Sequence, residues 1–397
     1  MNEFVPSALK KLIYCLILLS TVSCNRQEII QVNNNTGTTL QIKGLQNASP
    51  LSFEQLIENV RYVFLENFGK ESIQVDKLLF NNKRMYILDK SKNLLLIYNR
   101  AGALQSAIKE VRAFNVYKEK IYTYNMLKGI IKTYTLSGNY LNQNKIGFRG
   151  VDFINLNDSL LAFHTAGLVT KDKGSSKYEV AYVYKDGRLD KFTIPITEDK
   201  QGVNYAATGR FSCDKENTYF ISSFGNELYQ LKPDKVNSCL KFDFGTLTLT
   251  DSLFQTFKEI EDYSFFPYIF NITNKFNTNE DSFFSCTYKG AEAYFIVQNS
   301  KKQVIASGLS NSSGIGSDFN NTIPEAFSNG DYVSIIGREE FTSNYKLLIS
   351  KRSTYGKTAL GKLTKEKINS NKNLVLMFFK LKNLNLYSGT RVAAHHL

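Results

Sequence analysis

The sequence predicts an all-β fold, a six-bladed β-propeller of four-stranded antiparallel blades, and three observations predict it. A block of short aromatic-rich runs repeats at a fixed spacing, looser copies follow along the chain, and helix-forming stretches are sparse. The repeat is clearest at its start, where residues 85–89, 95–98 and 101–104 recur as residues 121–125, 131–134 and 137–140. Tyr86, Asp89, Tyr98 and Gly102 map onto Tyr122, Asn125, Tyr134 and Gly138 at a single offset of 36.

Composition sets the outer bounds. The chain has 397 residues, 43% apolar, 13% aromatic and 21% charged, with 24 Gly and 6 Pro, which excludes a disordered or collagen-like body. Taking the elements in order, Lys10 and Lys11 precede an apolar run over residues 12–19, followed by Ser20-Thr21-Val22-Ser23-Cys24. This pattern reads as an export signal over residues 1–23, because so short a run does not cross ~30 Å of hydrocarbon. Small residues before Cys24 resemble the lipobox of bacterial lipoproteins, which implies acylation of Cys24 and a lipid anchor in the membrane. The localisation expected is the bacterial cell envelope, on the outer membrane at its periplasmic or surface face. An ordinary cleaved signal with a chance cysteine is the alternative.

Residues 24–50 are polar, include Asn33-Asn34-Asn35-Thr36-Gly37-Thr38-Thr39 and show no apolar periodicity, so they read as a flexible tether. The propeller is expected over residues 51–382. Its looser repeat units centre on residues 159–163 with 180–187, 218–222 with 227–231, 282–286 with 293–297, and 331–336 with 345–349. Six such sheets bury both faces when arranged radially, whereas an open solenoid is the other way to stack them. Ring closure borrows a strand from the opposite end of the chain, so residues 61–65 and 374–379 are both expected in the last blade. Short helices are expected at 52–57 and at 251–260, and loops around 166–180, 190–209 and 308–321. Residues 383–397 form a C-terminal tail.

The blades also resemble a family of bacterial six-bladed β-propeller lipoproteins with NHL-like blades. The residues that carry the likeness are 56–66, the first blade with Tyr86-Ile87-Leu88-Asp89 and Ile97-Tyr98-Asn99-Arg100-Ala101-Gly102, and the closing run 373–382. The resemblance implies a propeller and a surface lipoprotein, with no established reaction. The chain departs from the family in having no glycine over residues 105–111.

The chemistry-bearing residues are few. The histidines are His164, His395 and His396, too sparse for a zinc site or a histidine-based triad, and His164 falls at the repeat position of Asp89 and Asn125. No nucleophile elbow, Walker loop or twelve-residue calcium loop occurs, so no cofactor and no metal are expected. After export Cys213, Cys239 and Cys286 remain. Cys213 and Cys239 could pair if they lay on adjacent strands, and buried thiols are the alternative.

Formal net charge is +13, and removal of residues 1–23 leaves +12. Residues 351–382 carry nine Lys or Arg against Glu366 alone, a basic stretch suited to anionic lipid or acidic glycan, or to a solvated edge that discourages strand pairing. Nucleic acid is not expected for an exported chain without a binding motif, and the body is expected to be a monomer. In a propeller, residues just before the innermost strands crowd the mouth of the channel. Arg112, Arg149 and Arg210 hold that position in three successive units and would present guanidinium groups to a carboxylate, sulfate or phosphate. The other role open to them is to brace the ring by pairing with acids such as Asp152 or Asp214. Tyr205, Tyr263 and Tyr268 lie outside the strand pattern and could stack on a sugar. The expected function is binding of a glycan, peptide or protein at this mouth without catalysis. The competing class is a propeller hydrolase or lyase, which needs two carboxylates, or a tyrosine with a base, converging there.

Overall fold

The computed structural model describes residues 28–29, 31–33, 37–42, 57–69, 72–81, 83–166, 177–198, 209–214, 217–223, 225–250, 253, 267–278, 280–289, 291–309, 324–337, 341–342 and 374–381. The export signal, Cys24, most of both expected helices, Tyr205, Tyr263, the runs 345–349 and 351–373, and the tail lie outside them. Among the described residues the 3₁₀ turn Gly245–Leu247 is a complete helical element, and Leu253, Phe341 and Thr342 are also helical. No helix among them is long and apolar enough to cross a membrane.

Six sheets follow one another along the chain, each a four-stranded antiparallel meander at its core. Blade 1 is Lys77–Phe80, Arg84–Asp89, Leu94–Asn99 and Leu104–Lys109; blade 2 is Ala113–Tyr117, Lys120–Asn125, Ile130–Thr135 and Tyr140–Lys145. Blade 3 comprises Asp152–Asn155, Leu160–His164, Tyr178–Tyr184 and Leu189–Pro195, and blade 4 comprises Phe211–Cys213, Thr218–Ile221, Glu227–Leu231 and Val236–Asp243. Blade 5 is Ile269–Asn277, Asp281–Tyr288, Ala291–Gln298 and Gln303–Leu309. Blade 6 is Ala326–Ser328, Asp331–Gly337, Leu374–Leu381 and, from the other end of the chain, Ile57–Leu65.

The offset of 36 is written into the blades. Tyr86 and Tyr122 occupy the second strands, Tyr98 and Tyr134 the third, and Gly102 and Gly138 the following turns at φ +89° and +91°. Asp89, Asn125 and His164 each end a second strand, as their shared repeat position requires.

Packing closes the ring. Six apolar clusters each join two consecutive blades, and one of them joins blade 6 back to blade 1 through Phe378, Leu376, Val333, Met85, Ile87 and Tyr98. Aromatic side chains supply much of this contact, as in the edge-on pair Tyr124 and Phe163 at 5.1 Å between blades 2 and 3. A fully buried Phe or Leu contributes about 1.5–3 kcal/mol, so the interfaces between blades, more than any one sheet, hold the ring.

Four details refine the sequence reading. The strand Leu189–Pro195 runs into the stretch read as a loop, because Phe192 and Ile194 alternate with polar residues and bury themselves against their neighbours. The second strand of blade 6 has Ala326–Ser328 on one side and Leu374–Leu381 on the other, so both its edges are taken and residues 345–349 are not its partner. Cys213 lies on the innermost strand of blade 4 and Cys239 on its outermost. Three strand spacings of ~4.8 Å separate them, too far for a disulfide; both thiols are free.

The fourth concerns the tether. Glu28–Ile29 adds in parallel to the outer edge of blade 3, and Val32–Asn33 and Thr38–Gln41 add in parallel to the outer edge of blade 4. Leu40 and Ile42 are 3% and 4% exposed within the cluster between blades 4 and 5. Two apolar residues spaced by two fall on one face of a strand, and that face has a core to join.

Candidate functional site

The six innermost strands begin at Lys77, Ala113, Asp152, Phe211, Ile269 and Ala326, all at one end of the ring, which defines the channel mouth. Lys77 Nζ lies 3.2 Å from Asp152 Oδ1, a contact between blades 1 and 3 that bypasses blade 2. Beneath it the ring of Phe114, from blade 2, sits 5.6 Å from the same ammonium. Asp152 also accepts the Phe153 amide at 2.9 Å, so its carboxylate is fixed from two sides. Both side chains are largely buried, at 16% and 4% exposure.

Lys90, in the turn after the second strand of blade 1, faces the same group. Its amide donates to Asp76 Oδ2 at 2.7 Å. Burial pulls the pKa of its ammonium below the ordinary lysine value; Asp152 and Asp76 oppose that pull, and Lys77 and Arg112 add to it. Among the described residues the side chains of Lys90, Arg112 and Arg149 have no ion pair. The mouth on this side therefore holds an excess of cations.

Between blades 3 and 4 lies a buried polar cluster. Ser223 Oγ and His164 Nε2 are 2.9 Å apart, Glu179 accepts from the Ser222 hydroxyl and from the Ser223 amide, and His164 is fully buried. Burial first, then Arg210 and Lys90, push the His164 pKa well below its usual value, so its ring is neutral. Burial raises the Glu179 carboxyl, with Ser222, Ser223 and Arg210 opposing. A serine beside a neutral imidazole has the first two parts of a hydrolytic triad, yet His164 Nδ1 has no partner, whereas a triad needs an acid there.

The three arginines divide. Arg112 is half-buried and Arg149 exposed, in the segments that lead into the innermost strands of blades 2 and 3. Arg210 is fully buried: its guanidinium donates to the carbonyl oxygens of Ser222 at 3.1 Å and Ile272 at 2.7 Å and to Asn271 Oδ1 at 2.9 Å. The register of blade 5 slips between Phe270 and Thr273, and Arg210 fills that irregularity from blade 4. It braces the ring through these carbonyls and the Asn271 side chain, and Asp152 takes Lys77 in place of an arginine. Tyr268 is half-buried directly before the innermost strand of blade 5. Lys77, Lys90 and Asp152 were missed as a group because they lie on different blades, though Lys77 and Asp152 share the strand-start position that singled out the arginines. Among the described residues no three His, Cys, Asp or Glu side chains are gathered to hold a metal ion.

A closed six-bladed propeller with a charged, asymmetric mouth is the class of protein that this fold and site define. The chain belongs to the family described as a domain of unknown function, DUF4934, which matches residues 29–380. No curated protein matches the sequence. Among solved structures, a Bacteroides fragilis protein described as exported is similar over 89% of this chain and 100% of its own, at 13% identity and a TM-score of 0.64. A member of the DUF4221 family from Bacteroides vulgatus is similar over 83% and 98%, at 10% identity and 0.48. The virginiamycin B lyase of Staphylococcus aureus is similar over 70% and 81%, at 10% identity and 0.40. These likenesses concern the fold alone.

Proposed function

We propose that the protein is an envelope lipoprotein, anchored through Cys24, whose propeller binds an anionic ligand at the channel mouth without catalysing a reaction. The observation that carries the reading is the set of cations there, Lys90, Arg112 and Arg149, without ion pairs among the described residues and next to the fixed Lys77–Asp152 pair. A carboxylate, sulfate or phosphate on a glycan or peptide would accept from these cations, and each charge-assisted hydrogen bond is worth ~1.5–3 kcal/mol. The serine–histidine pair supports binding over hydrolysis, because among the described residues no acid partners His164 Nδ1.

The test is an array of glycans and peptides probed with the purified propeller and with a Lys90→Ala/Arg112→Ala/Arg149→Ala variant of unchanged circular dichroism. Ligands bearing acidic groups should dominate, and their binding should fall at least about tenfold in the variant. Neutral ligands, or equal binding by the variant, would discard the site. Arg210 is left intact because its removal would unbrace blade 5. Cys24→Ala should move the protein to the soluble fraction, and unchanged membrane retention would refute acylation.

A further inference from the structure

Residues 28–42 do more than link an anchor to a body. The chain is paired to Lys191 and Phe192 at Glu28 and Ile29, to Val236 and Asn237 at Val32 and Asn33, and to residues 240–243 at Thr38–Gln41. The Ile42 amide donates to the Asp243 carbonyl at 2.8 Å. Gly37 passes so close to Ser238 that a Cβ there would stand 2.7 Å from its hydroxyl. Val32 packs on the cluster between blades 3 and 4, and Leu40 and Ile42 on the next one. The leash is a strap over two blade edges.

Length turns this into geometry. An unattached chain from residue 24 to residue 50 would span a root-mean-square ~28 Å and reach several times that when stretched. Strapped from Glu28 onward, Cys24 is at most about 14 Å from the propeller surface. The strand that receives Glu28 and Ile29 begins where blade 3 meets blade 2: Asn144 Nδ2 donates to the Lys185 carbonyl at 2.8 Å, and Gly187 abuts the carbonyl of Lys145. The flank next to this exit is the edge strand Tyr140–Lys145, exposed at every residue. Tyr140 and Leu141, at 55% and 45%, are two of the three large apolar residues exposed in the described structure. Lys145 at the far end of the same strand and Arg188 in the turn next to it are exposed, with Lys185 half-buried and Asp186 the acid of that turn.

We infer that this flank lies on an anionic lipid surface, held there by the strap, so that the channel axis runs along the membrane and the mouth opens sideways. The inference rests on the proposed acylation of Cys24. A tyrosine and a leucine at one end of an exposed edge strand and an excess of cations at its other end suit the headgroup region, where each basic residue adds about 1 kcal/mol near an anionic surface.

The protein contains no Trp, so single tryptophans report without background. The acylated full chain would carry Leu141→Trp at the flank, or Leu127→Trp in the exposed turn at the mouth side of blade 2, on vesicles of phosphatidylcholine and phosphatidylglycerol with brominated acyl chains. Emission at position 141 should drop about two-fold, as for a ring buried ~5–10 Å into the interface, and emission at position 127 should not change. Separately, Thr39→Cys with Lys241→Cys, which are Cα partners on exposed positions, should form a disulfide in the native protein. No disulfide would overturn the strap. Equal or reversed quenching with the disulfide formed would overturn the membrane-facing flank. A wild-type chain that fails to sediment with the vesicles would overturn the membrane contact together with the anchoring, while the disulfide still reports on the strap.

Discussion

Replacing Gly102 by Ala tests how the ring is closed. Gly102 lies in the turn between the third and fourth strands of blade 1 at φ +89°, and its carbonyl accepts the Glu66 amide at 2.8 Å just after the closing strand of blade 6. A Cβ at this position would stand 2.3 Å from the Phe64 carbonyl oxygen and 3.1 Å from its carbon. Backbone, not a flexible side-chain end, would have to move, and Phe64 is held in the cluster between blades 5 and 6. The left-handed conformation alone costs an alanine ~1–2 kcal/mol, and forced displacement of packed structure adds ~1–3 kcal/mol, for a total of about 2–5 kcal/mol. Gly69 is the control: it has φ +75° and nothing within 4 Å of the place a methyl would occupy, so Gly69→Ala bears only the conformational part. Equilibrium urea unfolding followed by tyrosine fluorescence should give a midpoint clearly lower for Gly102→Ala than for Gly69→Ala. Equal midpoints would refute the reasoning that blade 1 is clamped against the closing strand at this turn.

Arg210→Met should destabilise the protein by ~3 kcal/mol or more in the same assay, because two buried carbonyls and the Asn271 side chain lose their donor; a loss under ~1 kcal/mol would contradict the bracing role. His164→Gln should flatten the acid limb of the stability curve. The folded-state pKa of His164 is depressed, so the unfolded chain binds a proton that the native chain does not as pH falls below about 6.5, and stability drops by up to ~1.4 kcal/mol per pH unit until the folded-state pKa is reached. Unchanged slopes in wild type and variant below that pH would show that another group sets the limb. Lys77→Met should cost ~3 kcal/mol by stranding the Asp152 carboxylate, and Asp152→Asn added to it should recover much of the loss; a double variant as unstable as the single one would dismiss the pair as a structural element.

How much of this was legible depended on how local each signal is. Tyr86, Asp89, Tyr98 and Gly102 carry the period because each serves the same strand or turn position in consecutive blades, so the chain repeats wherever the backbone does. Both end strands belong to the last blade, as ring closure with a strand from the opposite chain end requires. The pairing inside that blade was not legible, since residues 345–349 resemble a strand as closely as 374–381 do and only the register shows which one lies beside Asp331–Gly337. The strap was missed because Leu40 and Ile42 stand in an Asn- and Thr-rich stretch, and two apolar residues make no period. Their burial comes from Phe242 and Phe244, far along the chain in blade 4 and just beyond it. Arg210 illustrates the same limit at the site. It stands before an innermost strand just as Arg112 and Arg149 do, and what hides it is an irregularity in the next blade.

A repeat fold writes its backbone six times, so chemistry has to be carried by the residues that break the repetition. The second strands of blades 1 to 3 end in Asp89, Asn125 and His164, polar residues all, whereas those of blades 5 and 6 end in Tyr288 and Gly337. The innermost strands open with Lys77 and Asp152 in blades 1 and 3 but with Ile269 and Ala326 in blades 5 and 6. At these two positions, charge stands in blades 1 and 3 and is absent from blades 5 and 6. Such an asymmetry serves no requirement of ring closure, which the apolar clusters meet at all six interfaces. Buried or half-buried charges such as Lys90 and Asp152 cost desolvation energy that apolar residues at the same positions would not. Under the proposed binding role, such charges are the expectation for a binding face, and the ligand's acidic groups would lie over blades 1 to 3 with its remaining surface toward Tyr268 on blade 5.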